Sequence, residues 1–207
     1  MPRFIAIEGG EGSGKSSLVS ALKDSLGDSV VVTREPGGSP YGEAIRDLAL
    51  KDPRAGQAPA ATMLCLMFAS RYDHVENIIR PALSKGLSVV SDRFDGSSYA
   101  YNVCAQSRGS LEDLFWKLRT EISVLPDLYV YIDVDPMEGL RRVARRNEAL
   151  VDGNHFDMQT IEFHKKVREG YLEFLSKVPH VTVDANRSFA EVSKDFIDLI
   201  KEKATRN

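Results

Sequence analysis

Residues 3–16 read RFIAIEGGEGSGKS, and this stretch decides the fold. Residues 9–16 match the pattern GxxxxGK[ST], between an apolar run typical of a strand and a run typical of an amphipathic helix. Glycines let such a loop curl so that its backbone N–H groups point inward, and the helix N-terminus adds partial positive charge. The loop therefore indicates a P-loop for nucleoside triphosphate, with Lys15 reaching the phosphate oxygens and Ser16 binding Mg²⁺.

Short β-rich runs alternate with helical patterns along the rest of the chain, which indicates an α/β protein with a parallel sheet. Five strand candidates, most of them continuous apolar runs, fit strands covered by helices on both faces. They span residues 3–8, 29–34, 87–91, 127–134 and 180–184. No linker or repeat divides the 207 residues. We therefore expect residues 1–207 to form one domain, a P-loop NTPase-type three-layer fold with a five-stranded parallel sheet flanked by helices.

Composition narrows the classes of partner and compartment. The formal net charge of −3 does not supply the broad basic surface that a nucleic-acid polymer needs. Cys65 and Cys104 lie far apart and fit no metal-binding pattern, so we expect reduced core thiols in a cytoplasmic protein. No apolar run reaches the ~20 residues that cross a bilayer, and we expect neither a signal peptide nor a membrane partner.

A helix predicted over residues 60–83 carries an arginine in its apolar stripe. At 100° per residue, Arg71 falls between Phe68 and Val75 on the face that should be buried. One interpretation is an arginine that snorkels to solvent or pairs with a core carboxylate. The other is a planar donor aimed at a bound base, with Met67 or Phe68 as an apolar platform.

A polar cluster follows the strand candidate at residues 87–91. Asp92, at the end of a strand beside the P-loop, is placed where a ligand of Mg²⁺ or of its bound water is expected. Arg93 next to it could clamp the phosphate of an acceptor molecule. A simple aspartate–arginine pair in a turn is the alternative.

The helix predicted to begin at Pro136 carries four arginines, Arg141, Arg142, Arg145 and Arg146, with Met137, Leu140 and Ala144 on its opposite face. A solvated helix face is the usual explanation for such a run. Residues 147–157 are polar and lack periodicity, which is typical of a mobile loop. We therefore expect a lid at about residues 141–157 that brings arginines over the transferring phosphoryl group.

Taken together, these motifs resemble the thymidylate kinase family of nucleoside monophosphate kinases, nearly from end to end. The resemblance is carried by Glu8 with the P-loop, TREPGG at residues 33–38, GEAIR at 42–46, DRF at 92–94 with Ser97, Ser98 and residues 100–101, and PDL at 126–128. It implies transfer of the ATP γ-phosphate, with Mg²⁺ as cofactor, to dTMP to give dTDP. It also implies a homodimer.

The resemblance further implies roles for individual residues. Arg46 and Arg93 hold the acceptor 5′-phosphate, Glu11 lies near the sugar 3′-hydroxyl, and Tyr101 crowds the position of a ribose 2′-hydroxyl. We expect ATP to contact Gly9, Gly10, Glu11, Gly12, Ser13, Gly14, Lys15, Ser16, Ser17 and Ala185. We expect the acceptor to contact Glu11, Arg34, Pro36, Arg46, Met67, Phe68, Arg71, Arg93, Ser97, Ser98, Tyr101 and Asn102. The expected catalytic residues are Lys15, Arg93, Arg141, Arg145, Arg146 and Glu11, and the expected metal ligands are Ser16 and Asp92.

Three positions depart from the family pattern. Met67 stands where an aromatic is usual, Asn102 stands where glutamine is frequent, and Asn154 and His155 stand where the lid usually has an arginine. These changes leave dUMP or a modified deoxynucleoside monophosphate open as the acceptor. A deoxynucleoside kinase would need fewer arginines, and a nucleotide-dependent switch that reads guanine would need an NKxD motif, which the sequence lacks.

Overall fold

A computed structural model describes residues 1–107, 109–147 and 159–205, except for the side chains of residues 28, 146, 147 and 205. Five strands form one sheet in which every neighbouring pair is parallel, in the order β2-β3-β1-β4-β5. The strands are β1 (Phe4–Glu8), β2 (Val30–Arg34), β3 (Ser88–Asp92), β4 (Leu128–Asp133) and β5 (His180–Asp184). Each lies within one residue of its predicted span, so the predicted α/β architecture is confirmed.

Helices cover both faces of the sheet. In the described part of the chain they are α1 (Lys15–Leu26), α2 (Pro40–Leu50), α3 (Ala60–His74), α4 (Arg80–Ser84), α5 (Asp95–Ser98), α6 (Glu112–Thr120), α7 (Pro136–Asn147), α8 (Ile161–Leu175) and α9 (Phe189–Thr205). The predicted helix at residues 60–83 is α3 and α4, joined by a π-helical turn at Val75–Ile79. A second π-helical segment, Tyr99–Gln106, continues α5. None of the described helices is both long and apolar enough to cross a bilayer.

Two hydrophobic cores lie on opposite faces of the sheet. Because side chains alternate along a strand, β1 directs Phe4 and Ala6 to one core and Ile5 and Ile7 to the other. The first core is rich in aromatic residues from α3, α6, α8, β4 and residues 94–99, among them Phe68, Phe94, Tyr99, Phe115, Tyr129, Tyr131, Tyr171 and Phe174. The second is mainly aliphatic and joins the sheet to α1 and α9, through residues such as Leu18, Leu22, Val130, Ile132, Val192, Phe196 and Ile200.

Some predicted burial patterns are wrong. Cys65 is exposed on α3 and Cys104 is only partly buried, so neither thiol belongs fully to the core. On α7 the predicted apolar residues Met137 (48% exposed) and Ala144 are exposed, whereas Gly139 and Val143 are buried. The cause is that α7 packs one turn against the P-loop through glycine: a Cβ at Gly12 or at Gly139 would collide with the backbone of the other segment. The helix therefore turns the face that carries Gly139 inward.

The strand order reverses at β1, which lies between β3 and β4. In an open parallel sheet the crevice for a ligand forms outside the carboxyl ends of the strands at such a switch point. Here the P-loop leaves β1 at that edge, and residues 92–98 leave β3 beside it.

Glu8, the last residue of β1, holds the chain that leaves β3. Its Oε1 accepts hydrogen bonds from the backbone N–H of Phe94 at 3.0 Å and of Ser97 at 3.1 Å, and its Oε2 accepts one from the Ser97 hydroxyl at 2.6 Å. Residue 96 must be small, because a Cβ on Gly96 would lie 2.9 Å from Glu8 Oε1. Burial raises the pKa of Glu8 to about 7, although the Ser97 hydrogen bond and Arg93 oppose this shift.

We predict that Glu8 makes the stability of the protein depend on pH. With its pKa raised from 4.5 to about 7, the folded chain binds this proton more tightly than the unfolded chain does. Ionisation of Glu8 therefore lowers the free energy of unfolding as the pH rises from 4.5 to 7, and the loss reaches about 3 kcal/mol above pH 7. Urea unfolding of the wild type and of Glu8→Gln, from pH 4.5 to 8, should show the wild type losing stability relative to the variant. A difference that does not change with pH would contradict this assignment.

Candidate active site

A cleft of about 1190 Å³ opens at the carboxyl edge of the sheet. It exceeds the roughly 300–1,000 Å³ of a usual small-molecule site, so it has room for two ligands. The P-loop lines one end, and residues from β2, α2, α3, β3 and the segment after β3 line the other. The lining includes the predicted residues Glu11, Gly12, Ser13, Gly14, Lys15, Ser16, Ser17, Arg34, Pro36, Arg46, Met67, Arg71, Asp92, Arg93, Ser97, Ser98, Tyr101 and Asn102. It also includes Glu35, which was not predicted as a site residue, and Arg142, one of the four arginines predicted on the lid helix but not one of the expected catalytic residues.

The P-loop holds its own lysine in a network of short contacts. Lys15 Nζ donates hydrogen bonds to the carbonyls of Gly9 at 2.8 Å and Gly10 at 3.1 Å, and to the Ser13 hydroxyl at 3.2 Å. Burial, together with the nearby charge of Arg93, lowers the pKa of Lys15 to about 8. Loss of a proton is easier here than in water because burial and Arg93 outweigh the favourable charges of Glu11, Asp92 and Glu8. An anion bound in the loop supplies a further favourable charge, so the arrangement favours phosphate.

Arg93 is fixed by both its backbone and its side chain. Its φ of 71° is left-handed, which is rare for a bulky residue, and its N–H donates to the carbonyl of Ile7 at 2.8 Å. Its NH1 donates to the Gly9 carbonyl, the Ser97 hydroxyl and the Tyr171 hydroxyl at 2.9 to 3.0 Å. Strained backbone of this kind persists where surrounding contacts hold it, often at functional sites.

Glu11 connects the P-loop to the other end of the cleft. Its Oε1 accepts hydrogen bonds from Arg93 NH2 and from the Tyr101 hydroxyl, both at 3.0 Å. Burial acts to raise the pKa of Glu11, but Arg93 and Lys15 outweigh it and lower the pKa below its ordinary value. Glu11 therefore carries negative charge between two cationic side chains.

The end of β2 and helix α2 contribute two more arginines. Arg46 NH1 donates to the carbonyl of Pro36 at 2.8 Å, and Arg34 NH2 donates to Glu43 Oε2 at 2.8 Å. Glu43 also accepts a hydrogen bond from the backbone N–H of Gly38. Both arginines line the cleft, so this end of it is strongly cationic.

Arg71 lies at the far end of the cleft and is only 2% exposed. Its Nε donates to Glu35 Oε2 at 2.8 Å, its NH2 donates to the Ser98 hydroxyl at 3.0 Å, and its NH1 has no hydrogen-bond partner among the described residues. An arginine nitrogen that is buried without a partner is costly, which points to a ligand acceptor at this position.

The structure separates the two predicted platform residues. Phe68 lies in the aromatic core, 1% exposed, with its ring 5.6 Å from that of Phe115 and 4.8 Å from the Arg71 guanidinium. Met67 lines the cleft instead. Phe68 thus contacts Arg71 from within the core, and Met67 is the platform candidate that lines the cleft. Asn102 also lines this end, with its amide nitrogen donating to Gln106 Oε1 at 2.8 Å.

Asp92 and Ser16 are the residues that could hold a divalent cation. Asp92 Oδ1 is buried and accepts no hydrogen bond from the described residues. The described residues contain no group of three or more carboxylate, histidine or cysteine side chains that could enclose a metal. One carboxylate and one hydroxyl suit Mg²⁺, which usually keeps several waters and takes its remaining ligands from phosphates. The residues present therefore fit magnesium bound together with a nucleotide.

The residues that were predicted near ATP outside the P-loop do not all lie at the cleft. Ala185 is buried after β5, and its carbonyl accepts a hydrogen bond from Arg142 NH2 at 3.0 Å. Arg141 and Arg145 are exposed on α7 and do not line the cleft. The side chain of Arg146 and the lid residues 148–157 lie outside the described residues, so the lid prediction stays a prediction.

Two residues at this site were missed by sequence reasoning. Glu35 and His74 are buried around Arg71, at 3% and 0% exposure. The available signal was the requirement that Arg71, in an apolar stripe, have a carboxylate partner. That requirement did not say which carboxylate, because Glu35 lies 36 residues before Arg71 in the chain.

This chain is similar to known proteins over nearly its whole length. The sequence model for the family described as thymidylate kinase matches residues 7–196. The thymidylate kinase of Shouchella clausii is 39% identical over 95% of this chain and 93% of its own length, and that of Idiomarina loihiensis is 38% identical over 97% of each. A crystal structure of thymidylate kinase from Ehrlichia chaffeensis is 26% identical with a TM-score of 0.75, covering 96% of this chain and 98% of that chain.

A motif match alone shows only local similarity. Here the family match includes the P-loop, the arginine-lined end of the cleft and strands β2 to β5. The relatives and the solved structure cover at least 95% of the chain. The chain belongs to the thymidylate kinase family.

Proposed function

We propose that this protein transfers the γ-phosphate of ATP to the 5′-phosphate of dTMP, giving dTDP. The observation that carries the proposal is one continuous cleft in which the P-loop opposes an end lined by Arg34, Arg46, Arg71 and Arg93. Such a cleft suits two anionic nucleotides that must be brought together. The named relatives are thymidylate kinases, which supports this choice of acceptor.

The P-loop accounts for the ATP end. Its backbone N–H groups and the N-terminus of α1 bind phosphate oxygens, and Lys15 exchanges its carbonyl partners for them. We further propose that Ser17 and the backbone around Ala185 contribute to ATP binding. Bound Mg²⁺, held by Ser16 and Asp92, would supply neutralisation of phosphate charge. The reaction needs no protein nucleophile, because positioning and charge stabilisation account for catalysis of phosphoryl transfer.

Arg46 and Arg93 account for the acceptor phosphate. We propose that both guanidinium groups bind it and hold its oxygen in line with the γ-phosphorus. Glu11, which already accepts from the Tyr101 hydroxyl, is placed to accept from the sugar 3′-hydroxyl. Tyr101, 6% exposed and held by that bond, leaves little room for a ribose 2′-hydroxyl.

The base is the part of the acceptor that we assign to Arg71, Met67, Ser98 and Asn102. We propose that Met67 covers the ring while Arg71 NH1, which is buried without a partner, donates to the carbonyl at position 4 of thymine. Cytosine has an amino group there, which cannot accept. The pocket thereby distinguishes the two pyrimidines by the direction of one hydrogen bond.

We propose that α7 and the following segment form the lid, with Arg141, Arg145 and Arg146 providing catalytic guanidinium groups. Arg142 has a different role, because its Nε donates to Glu138 and its NH2 to the Ala185 carbonyl. We also propose one domain for residues 1–207, supported by a single sheet with a core on each face. A cytoplasmic location is proposed because both cysteines are unpaired thiols.

A homodimer is proposed through α2 and α3, which pack side by side. Tyr41 is 69% exposed and Leu48 47% exposed on α2, and Cys65 is exposed on α3. Apolar side chains collected on neighbouring helices are typical of an interface between subunits.

The function is tested by incubating ATP and Mg²⁺ with a panel of acceptors: dTMP, dUMP, dCMP, dGMP, ribothymidine monophosphate and thymidine. We expect dTMP to give the highest kcat/KM, with diphosphate as product measured by chromatography. The ribonucleotide should be poorer because of Tyr101. Faster phosphorylation of thymidine than of dTMP, or no dTDP at all, would refute the proposal.

Arg93→Ala should lower kcat/KM for dTMP by at least about 1,000-fold, or about 4 kcal/mol of transition-state stabilisation. The reason is that Arg93 both contacts the acceptor phosphate and anchors Glu11. Steady-state kinetics of the variant should be compared with Arg80→Ala, which removes an exposed arginine paired with Glu76. A loss of less than tenfold in Arg93→Ala would remove the residue from the phosphate site.

Leu48→Glu should convert the dimer to a monomer, because a charge placed in a buried apolar interface must be desolvated. Sedimentation velocity measures the mass of both forms. The matched control is Leu172→Glu, which places the same charge at a residue 44% exposed on α8. If Leu48→Glu sediments as the wild type does, the interface lies elsewhere or the protein is a monomer.

A further inference from the structure

A chain of four polar groups, of which Thr33 is partly buried and the other three are buried, ends at the guanidinium of Arg71. Thr33 Oγ1 lies 2.7 Å from His74 Nε2, His74 Nδ1 lies 3.0 Å from Glu35 Oε1, and Glu35 Oε2 accepts from Arg71 Nε at 2.8 Å. His74 is 0% exposed, Arg71 2% and Glu35 3%. The chain therefore connects the end of β2 to the base end of the cleft through α3.

Each link fixes the orientation of the next. A carboxylate can only accept, so the N–H at His74 Nδ1 donates to Glu35 Oε1, which leaves Oε2 for Arg71. The ring itself is held at its other nitrogen by Thr33. Gly38 permits this contact, since its φ is 82° and a Cβ there would collide with both His74 and Thr33 Oγ1.

The arrangement leaves one nitrogen of Arg71 for a ligand. Glu35 takes Nε and the Ser98 hydroxyl takes NH2, while the guanidinium carbon lies 4.8 Å from the Phe68 ring centroid and 4.9 Å from that of Phe94. Two of its nitrogens are hydrogen-bonded, and two aromatic rings lie against the guanidinium group. The group therefore cannot rotate without breaking buried hydrogen bonds. NH1 is buried and has no hydrogen-bond partner among the described residues, and Arg71 as a whole lines the cleft.

We infer that Glu35 and His74 are positioning residues that determine which base the acceptor site takes. They act through Arg71: the carboxylate balances its charge and fixes its plane, so that only a base with a hydrogen-bond acceptor at position 4 satisfies NH1. The inference rests on the proposed dTMP kinase function. It assigns to Glu35 and His74 a role in selectivity in addition to any role in stability.

A purely structural ion pair predicts something different. Removing one partner of a buried pair leaves an uncompensated charge and destabilises the fold, but it has no reason to alter the preference for one base over another. Discrimination between bases is therefore the readout that separates the two explanations.

The test compares Glu35→Gln with the wild type in steady-state kinetics with dTMP, dUMP and dCMP. We expect KM for dTMP to rise at least tenfold with a smaller change in kcat, and the ratio of kcat/KM for dTMP over dCMP to fall at least tenfold. The ratio for dTMP over dUMP should stay within about threefold, since these bases share the carbonyl at position 4. Glu76→Gln, which removes an exposed carboxylate beside α3, is the matched control and should behave as the wild type does.

Coupling to Arg71 is tested with the double variant. In an Arg71→Met background, adding Glu35→Gln should not change the ratio for dTMP over dCMP further, because the donor that Glu35 positions is already gone. If Glu35→Gln lowered the ratio for dTMP over dCMP by the same factor with Arg71 present and in the Arg71→Met background, the inference would be overturned.

Variants at His74 keep the inference testable if Glu35→Gln fails to fold. His74→Phe removes the donor to Glu35 with a similar shape and should lower the ratio for dTMP over dCMP at least threefold. His74→Gln retains an N–H donor and should recover part of it. A ratio within twofold of the wild type in every folded Glu35 and His74 variant overturns the inference, whereas a wild type that does not phosphorylate dTMP overturns the proposed function instead.

Discussion

The site depends on positive charges that are buried before any substrate binds. Lys15 and Arg71 are 6% and 2% exposed, and a charge taken out of water costs several kcal/mol unless it is paired. The chain therefore supplies partners: carbonyl oxygens for Lys15, Glu11 for Arg93 and Glu35 for Arg71. These partners do more than neutralise. They fix the direction of each donor in advance, and donors that need not reorganise are the ones that stabilise a transition state or discriminate between ligands.

The parallel sheet is what brings these pairs together. β1 and β3 are neighbours, so the P-loop and the residues after β3 leave the sheet at the same edge. Glu8 then connects the two segments by accepting hydrogen bonds from the backbone N–H groups of Phe94 and Ser97. These bonds help hold Arg93 in its left-handed conformation. A carboxylate at the end of one strand thus positions an arginine at the end of the next. The cost is a buried acid whose pKa is raised to about 7.

The local sequence pattern predicted most of the sheet and the P-loop, but fewer of the contacts inside the site. The strands were found to within one residue because strands buried on both faces are continuous apolar runs, and the P-loop because its glycines occur at fixed spacing. Periodicity also placed Arg71 on a buried face. It did not decide between Met67 and Phe68, which are adjacent and differ only in whether they meet the cleft or Phe115. It did not find the π-helical turn at Val75–Ile79. It also did not find the partners of Arg71, because those lie in distant segments of the chain.

The pair formed by Arg71 and Glu35 is better explained by selectivity than by stability. A buried ion pair adds little net stability, since apolar residues of similar volume often do as well. An apolar floor, however, would bind thymine and cytosine by shape alone, and the two bases have nearly the same shape. Sites that recognise a ligand through a fixed hydrogen bond can reject an analogue lacking the partner group by roughly 10⁴-fold, because the buried donor is then left unsatisfied. Arg71 can act in this way only if its guanidinium cannot turn away, and Glu35, itself held by His74, supplies that constraint.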